Sequence, residues 1–129
     1  MDETVEEEVA ITETNSLIAS DKVQGTRVFD AAGGRLGHVH NFMVDKVSGQ
    51  VAYVVVSTGG FLGLGQAYQP LPWGAFRYDE GKGGYVLGVS SDMLAGGPSF
   101  RPDTAPDFDR AYGKRIDDYY RLPPGTISL

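Results

Sequence analysis

His38-Val39-His40 is the stretch of this 129-residue chain whose residue types and spacing come nearest to a reactive constellation. Residues two apart on a strand point to the same face, so the two imidazoles would stand side by side as metal ligands do, with Asp45 following. A strand site of the H-x-H kind needs a glutamate and further ligands, whereas this chain offers an aspartate and has no third histidine. The pair therefore reads as two exposed strand residues, with a pH-sensitive surface as the intermediate reading and metal binding or weak catalysis at His38 and His40 as the alternative. Gly59-Gly60-Phe61-Leu62-Gly63-Leu64-Gly65 is glycine-rich like a phosphate loop, but no helix N-terminus follows and no lysine sits where a nucleotide loop needs one. Asp117 and Asp118 would lie about 100° apart around a helix, too far round to share a proton. Ser57 and Thr58 have no histidine nearby in sequence and no elbow motif, so neither reads as a nucleophile. The sequence thus assigns no catalytic residue, no metal ligand set and no cofactor.

The net charge of −6 is unevenly placed. Residues 1–15 hold six of the 17 acids and no base, which leaves 11 acids against 11 bases in the remainder. Such an acidic leader reads as a solvated tail, or as a docking arm for a basic partner. The neutral body argues against nucleic acid, whose affinity comes largely from neutralising phosphates. There is no cysteine, so disulfides and thiolate chemistry are excluded. No apolar run is long enough for a membrane span, and the start lacks the basic and apolar regions of a secretory signal, which points to the cytoplasm.

The elements that must position these residues are short and turn-rich, as 18 glycines and 7 prolines suggest. Gln50 to Thr58 is the most continuously apolar and β-branched run and reads as a central strand. Val51, Tyr53 and Val55 fall on one face and Ala52, Val54 and Val56 on the other, so one face should enter a core while the other meets a helix, a tail or a second subunit. Before it come a single helical turn ending at Gly25, a strand over Thr26–Phe29, a hairpin at Asp30–Arg35 and a strand over Leu36–Asp45. Imperfect alternation in that last strand predicts a bulge near Asn41. After it, Pro70 and Pro72 demote Gln66–Trp73 to an edge strand or extended connection, in which Trp73 is predicted to be buried. Phe76-Arg77-Tyr78, a glycine hairpin and Tyr85–Val89 complete about six strands. Ser90 or Ser91 can cap a short helical turn, and Asp107–Tyr120 has helical spacing with Phe108, Ala111 or Tyr112, Ile116 and Tyr119 or Tyr120 on one side. The expected fold is mainly β, a small antiparallel barrel with a C-terminal helical tail. The division is a leader at 1–15, a barrel at 16–97, and a linker with its helical tail at 98–129.

Ser20-Asp21-Lys22-Val23-Gln24-Gly25, Leu36-Gly37-His38-Val39 leading to Val44-Asp45, Val51-Ala52-Tyr53-Val54-Val55, Gly59-Gly60-Phe61-Leu62-Gly63 and Pro70-Leu71-Pro72-Trp73 together resemble the PRC-barrel family. That family is named for the cytoplasmic domain of the photosynthetic reaction-centre H subunit and includes a domain of a ribosome-maturation factor. The helix with Tyr119-Tyr120 is similar to the tail of stand-alone bacterial members. The resemblance implies a small β-barrel used as an interaction module, usually without catalytic residues. Where the family often has an acid near the end of the second long strand this chain has Asn41, so no proton-handling role carries over.

The expected function is a non-enzymatic, self-associating adaptor that forms a homodimer or larger assembly and engages a protein partner. A ribosome- or RNA-associated role is a second alternative, opposed by the neutral body. The residues expected to make contacts are Phe61, Leu62 and Leu64 on the glycine loop, Tyr53 on the central strand, and Phe108, Tyr112, Ile116 and Tyr119 on the helix.

Overall fold

The computed structural model describes residues 17–59 and 66–121. A short helix α1 (Ser20–Val23) leads into β1 (Arg27–Phe29), β2 (Arg35–Val44), β3 (Val51–Gly59), β4 (Gln66–Pro72), a 3-10 turn (Trp73–Ala75), β5 (Phe76–Asp79) and β6 (Gly84–Leu87). Two helices follow, α2 (Ser91–Ala95) and α3 (Arg110–Tyr120). The six strands form one curved sheet in the order β4-β3-β2-β1-β6-β5. Four of its five ladders are antiparallel, as expected from short sequential hairpins, but β1 and β6 run parallel, with Val28 opposite Tyr85. No ladder joins β4 to β5, and the 3-10 turn between them carries the chain from one edge to the other.

Turn chemistry sets the registers. Asp30 Oδ1 accepts the amides of Ala32 and Gly34 at 3.0 and 2.8 Å, closing the β1–β2 hairpin. Asp45 Oδ1 accepts those of Val47 and Ser48, both at 2.9 Å, closing β2–β3; these bonds from Ser48 and Val47 hold its carboxyl below the usual aspartate range. The predicted bulge in β2 is present: Val39 pairs with Val56 but Asn41 with Val55, which leaves His40 as the extra residue.

β4 is the edge strand that its prolines require. Tyr68 exchanges two 2.9 Å backbone hydrogen bonds with Phe100 on the side away from β3. Pro70 and Pro72 share the parity of Tyr68, so their missing N–H groups also fall on that outer side and no ladder bond is lost.

The core is built from Val28, Val39, Val54, Val56, Leu71, Phe76 and Leu87, to which α2 adds Leu94 and α3 adds Tyr112, Ile116 and Tyr120. Trp73, expected inside, is 40% exposed. The 3-10 turn explains the difference: extended backbone at Pro72 gives way at Trp73 to a tight turn that carries Ala75 and Phe76 into the core, and the indole is left at the surface, edge-on to Tyr85 at 6.1 Å.

β2 and β3 approach so closely at Gly37 that a Cβ there would fall on the backbone carbonyl oxygen of Ser57. Because the obstacle is backbone, it cannot swing aside. Gly37→Ala should therefore destabilise the domain by about 1–3 kcal/mol or more, read as a lower urea midpoint at unchanged slope; an unshifted midpoint would show that the two strands have room to part.

Candidate functional site

The contact residues predicted on the strand and the helix are brought together, chiefly against this chain's own sheet. Asp109 caps α3 by accepting the Tyr112 amide at 2.9 Å. Tyr112, Ile116 and Tyr120, spaced four apart, form its buried stripe. Tyr53 reaches the helix from β3 and places its hydroxyl 3.4 Å from the carbonyl of Gly113 and from the Asp117 carboxylate. Gly113 weakens the helix in principle, yet a Cβ there would stand 2.8 Å from the Tyr53 hydroxyl, so the missing side chain makes space for the contact. Phe108 lies edge-on to Tyr112 at 5.1 Å and to Phe100 at 6.1 Å. Tyr119 donates to the Met93 carbonyl at 2.6 Å and so ties α3 to α2. Phe61, Leu62 and Leu64 lie outside the described residues; the loop that carries them leaves β3 at Gly59 and returns at Gln66, which pair with each other.

The histidine pair does not assemble a ligand set. His40, displaced by the bulge, stacks on Tyr68 with ring centroids 4.1 Å apart and planes 15° from parallel. His38 lies opposite Ser57. Among the described residues no three His, Cys, Asp or Glu side chains gather closely enough to hold a metal ion. Asn41 sits opposite Val55, its Oδ1 buried and without a partner among the described residues. A carboxylate there would bury a charge at far greater cost than the amide.

A feature the sequence did not disclose is an open groove of about 910 Å³ at the Val51 end of β3. Phe42, Val51, Trp73, Phe76, Tyr78 and Tyr85 supply its apolar lining. Tyr85 is the hub, with Phe76, Tyr78 and Trp73 edge-on around it at 6.1, 5.2 and 6.1 Å, and burial pushes its phenol above the ordinary tyrosine range. Leu17 and Ile18, ahead of α1, form part of the opposite wall, and Arg77, Asp79 and Glu80 stand along the β5 side. The available sequence signal was Phe76-Arg77-Tyr78, whose alternation puts two aromatic rings on one face.

A sheet of this order, with α1 ahead of β1 and the bulged β2 against a doubly apolar β3, is the setting in which the family match falls. The PRC-barrel domain matches residues 16–94. The chain belongs to the PRC-barrel family. No curated protein matches it. PRC-barrel domains are generally non-catalytic interaction modules, and no helix among the described residues is long and apolar enough to cross a membrane. The match ends before α3, so the helix that covers Tyr53 lies beyond the matched region.

The hydroxyls of Tyr112 and Tyr120 are buried without partners among the described residues. Burial, reinforced by the neighbouring Tyr119, drives the Tyr120 phenol well above the usual range. A raised phenol favours the folded state below its unfolded pKa, and that contribution is lost as pH climbs past about 10 towards the folded value. Tyr120→Phe removes both the orphaned hydroxyl and the ionisation. It should leave stability at pH 7 unchanged or higher and move the alkaline unfolding midpoint upward, as followed by circular dichroism; a clear loss of stability at neutral pH would mean that the hydroxyl has a partner.

Proposed function

We propose that this PRC-barrel chain is a non-enzymatic adaptor in the cytoplasm that associates with itself and with a protein partner, and that the aromatic groove is its principal contact surface. The observation that carries this reading is the indole of Trp73, 40% exposed on the groove wall. It has company at the same end of the β2–β3 hairpin: Val44, opposite Val51, is 46% exposed and Val47 in the turn is 97% exposed. Apolar groups gathered around a concave aromatic site mark a contact surface more often than isolated exposed residues do, and aromatic anchors dominate binding energy in such surfaces. The apolar residues of β3 and α3, which the sequence offered as alternative contact faces, are used within the fold: Val54, Val56, Tyr112, Ile116 and Tyr120 belong to one core cluster, and Tyr53, Phe108 and Tyr119 pack against it.

The loop residues Phe61, Leu62 and Leu64 form a second contact surface in this proposal. β3, nine residues long, spans roughly 25 Å from Val51 at the groove to Gly59, where that loop begins. Light scattering on the full chain distinguishes the surfaces. The expected result is a dimer or larger species at micromolar concentration that shifts towards monomer in Trp73→Ser with Val47→Ser, at unchanged circular dichroism. Loss of association only in Phe61→Ser with Leu62→Ser would transfer the role to the loop, and a monomeric parent chain would remove self-association altogether.

A further inference from the structure

Leu17 and Ile18, the first residues the structure describes, already line the aromatic groove together with Ser20 and Val23 of α1. We propose that the acidic leader of the same chain, through Val5, Val9 and Ile11, lies along this groove and covers Trp73 until a partner displaces it. The proposal rests on the groove being a contact surface and names its resting occupant.

Reach is no obstacle. Sixteen residues precede Leu17, and at roughly 3.3 Å per extended residue, or 1.5 Å per helical one, they span more than the length of the four-residue β5 that forms one wall. Because the chain arrives on the groove wall, the leader is tethered at its binding site, and a tether this short gives an effective concentration on the order of millimolar. A free partner would need a higher affinity to compete.

Composition also fits. Val5 and Val9 are four residues apart, so one helical face would carry both, with Glu6, Glu7 and Glu8 directed elsewhere. Thr4-Val5-Glu6-Glu7 has the spacing of a capping box, in which a threonine and a glutamate three residues later satisfy the first amides of a helix. The acids need no partner in the groove. Arg77 on the wall is outnumbered by Asp79 and Glu80, so the attraction is carried by apolar contact against a weak like-charge repulsion, and the contact should be no weaker at high salt, which screens that repulsion.

Trp73 is the only tryptophan in the chain, so its fluorescence reports directly on the groove. In the full chain, replacing Val5, Val9 and Ile11 together by Asp should move the emission to longer wavelength and raise the acrylamide quenching constant at least twofold, at 50 mM and 500 mM salt alike. It should also tighten self-association, because the groove is then free. Unchanged emission and quenching in the variant would overturn the proposal. Both are read at a concentration low enough for light scattering to show only monomer, so that burial of Trp73 by a second copy does not contribute. Should the variant fail to fold, the parent chain still decides. A protease specific for glutamate should cut at Glu6–Glu8 at least tenfold more slowly than in a synthetic peptide of residues 1–16, and equal rates would refute the contact. The two readings fail separately: a fluorescence change in a chain that never associates would sink self-association alone, whereas association that depends on Trp73 without any effect of the leader would sink the leader's role alone.

Discussion

The structure depends on covering one strand from both sides. β3 pairs with β2 and β4, and its residues from Val54 to Ser57 are buried in succession. Its two faces meet different environments. Val54 and Val56 enter the core beside Leu71 and Val39, whereas Tyr53 turns to the C-terminal helix. A doubly apolar strand left bare on one face would lose the burial of several large side chains, each contributing about 1.5–3 kcal/mol. The chain beyond the family match therefore contributes to the fold: α3 supplies Tyr112, Ile116 and Tyr120 to the same core cluster.

Polar groups fasten that cover in sequence. Gln69 is buried on β4, where its amide nitrogen donates to the Leu94 carbonyl at 2.5 Å and its oxygen accepts from Thr58 at 3.0 Å. The adjacent Met93 carbonyl accepts from Tyr119 of α3. Strand, short helix and long helix are thus linked through satisfied polar contacts, with α2 as the intermediary. The aspartates are used in the same architectural way. Asp30, Asp45 and Asp79 close hairpins by accepting backbone amides, and Asp109 caps α3. Asp45, held by the backbone donors of Val47 and Ser48 in a solvent-facing turn, is stabilised as the anion, which suits a structural acceptor and not a proton-transfer group working near neutral pH.

Local features of the fold were legible in the sequence, and long-range ones were not. The β2 bulge followed from a break in alternation around Asn41, the edge character of β4 from two prolines at i and i+2, and the α3 stripe from its 3.6-residue period. Each depends on only a few adjacent residues. The parallel pairing of β1 with β6 joins residues almost 60 positions apart, and no local pattern specifies it. Trp73 shows how a correct local reading can give the wrong environment. Rigid extended backbone before the ring does set its direction, but the 3-10 turn that follows sends Ala75 and Phe76 inward in its place. The groove was hidden for a related reason: its lining comes from the N-terminal segment, β2, β3, the 3-10 turn and the β5–β6 hairpin, none of which is unusual alone.

The same turn explains why there is a groove at all. Closing a sheet of six strands requires the last strand to pair with the first, but β4 spends its outer hydrogen bonds on Phe100 and has prolines at its next two outward positions. β5 therefore cannot complete the ladder, and side chains must fill the space between the strands. Phe76 and Tyr85 fill the deep part, while Trp73 and Tyr78 remain along the mouth. What ordinary barrel closure would have hidden behind a row of backbone hydrogen bonds is instead presented as aromatic surface. The prolines that protect β4 from pairing with another chain's strand thus favour, in the proposed adaptor, contact through side chains in a groove, where shape and apolar area decide what fits.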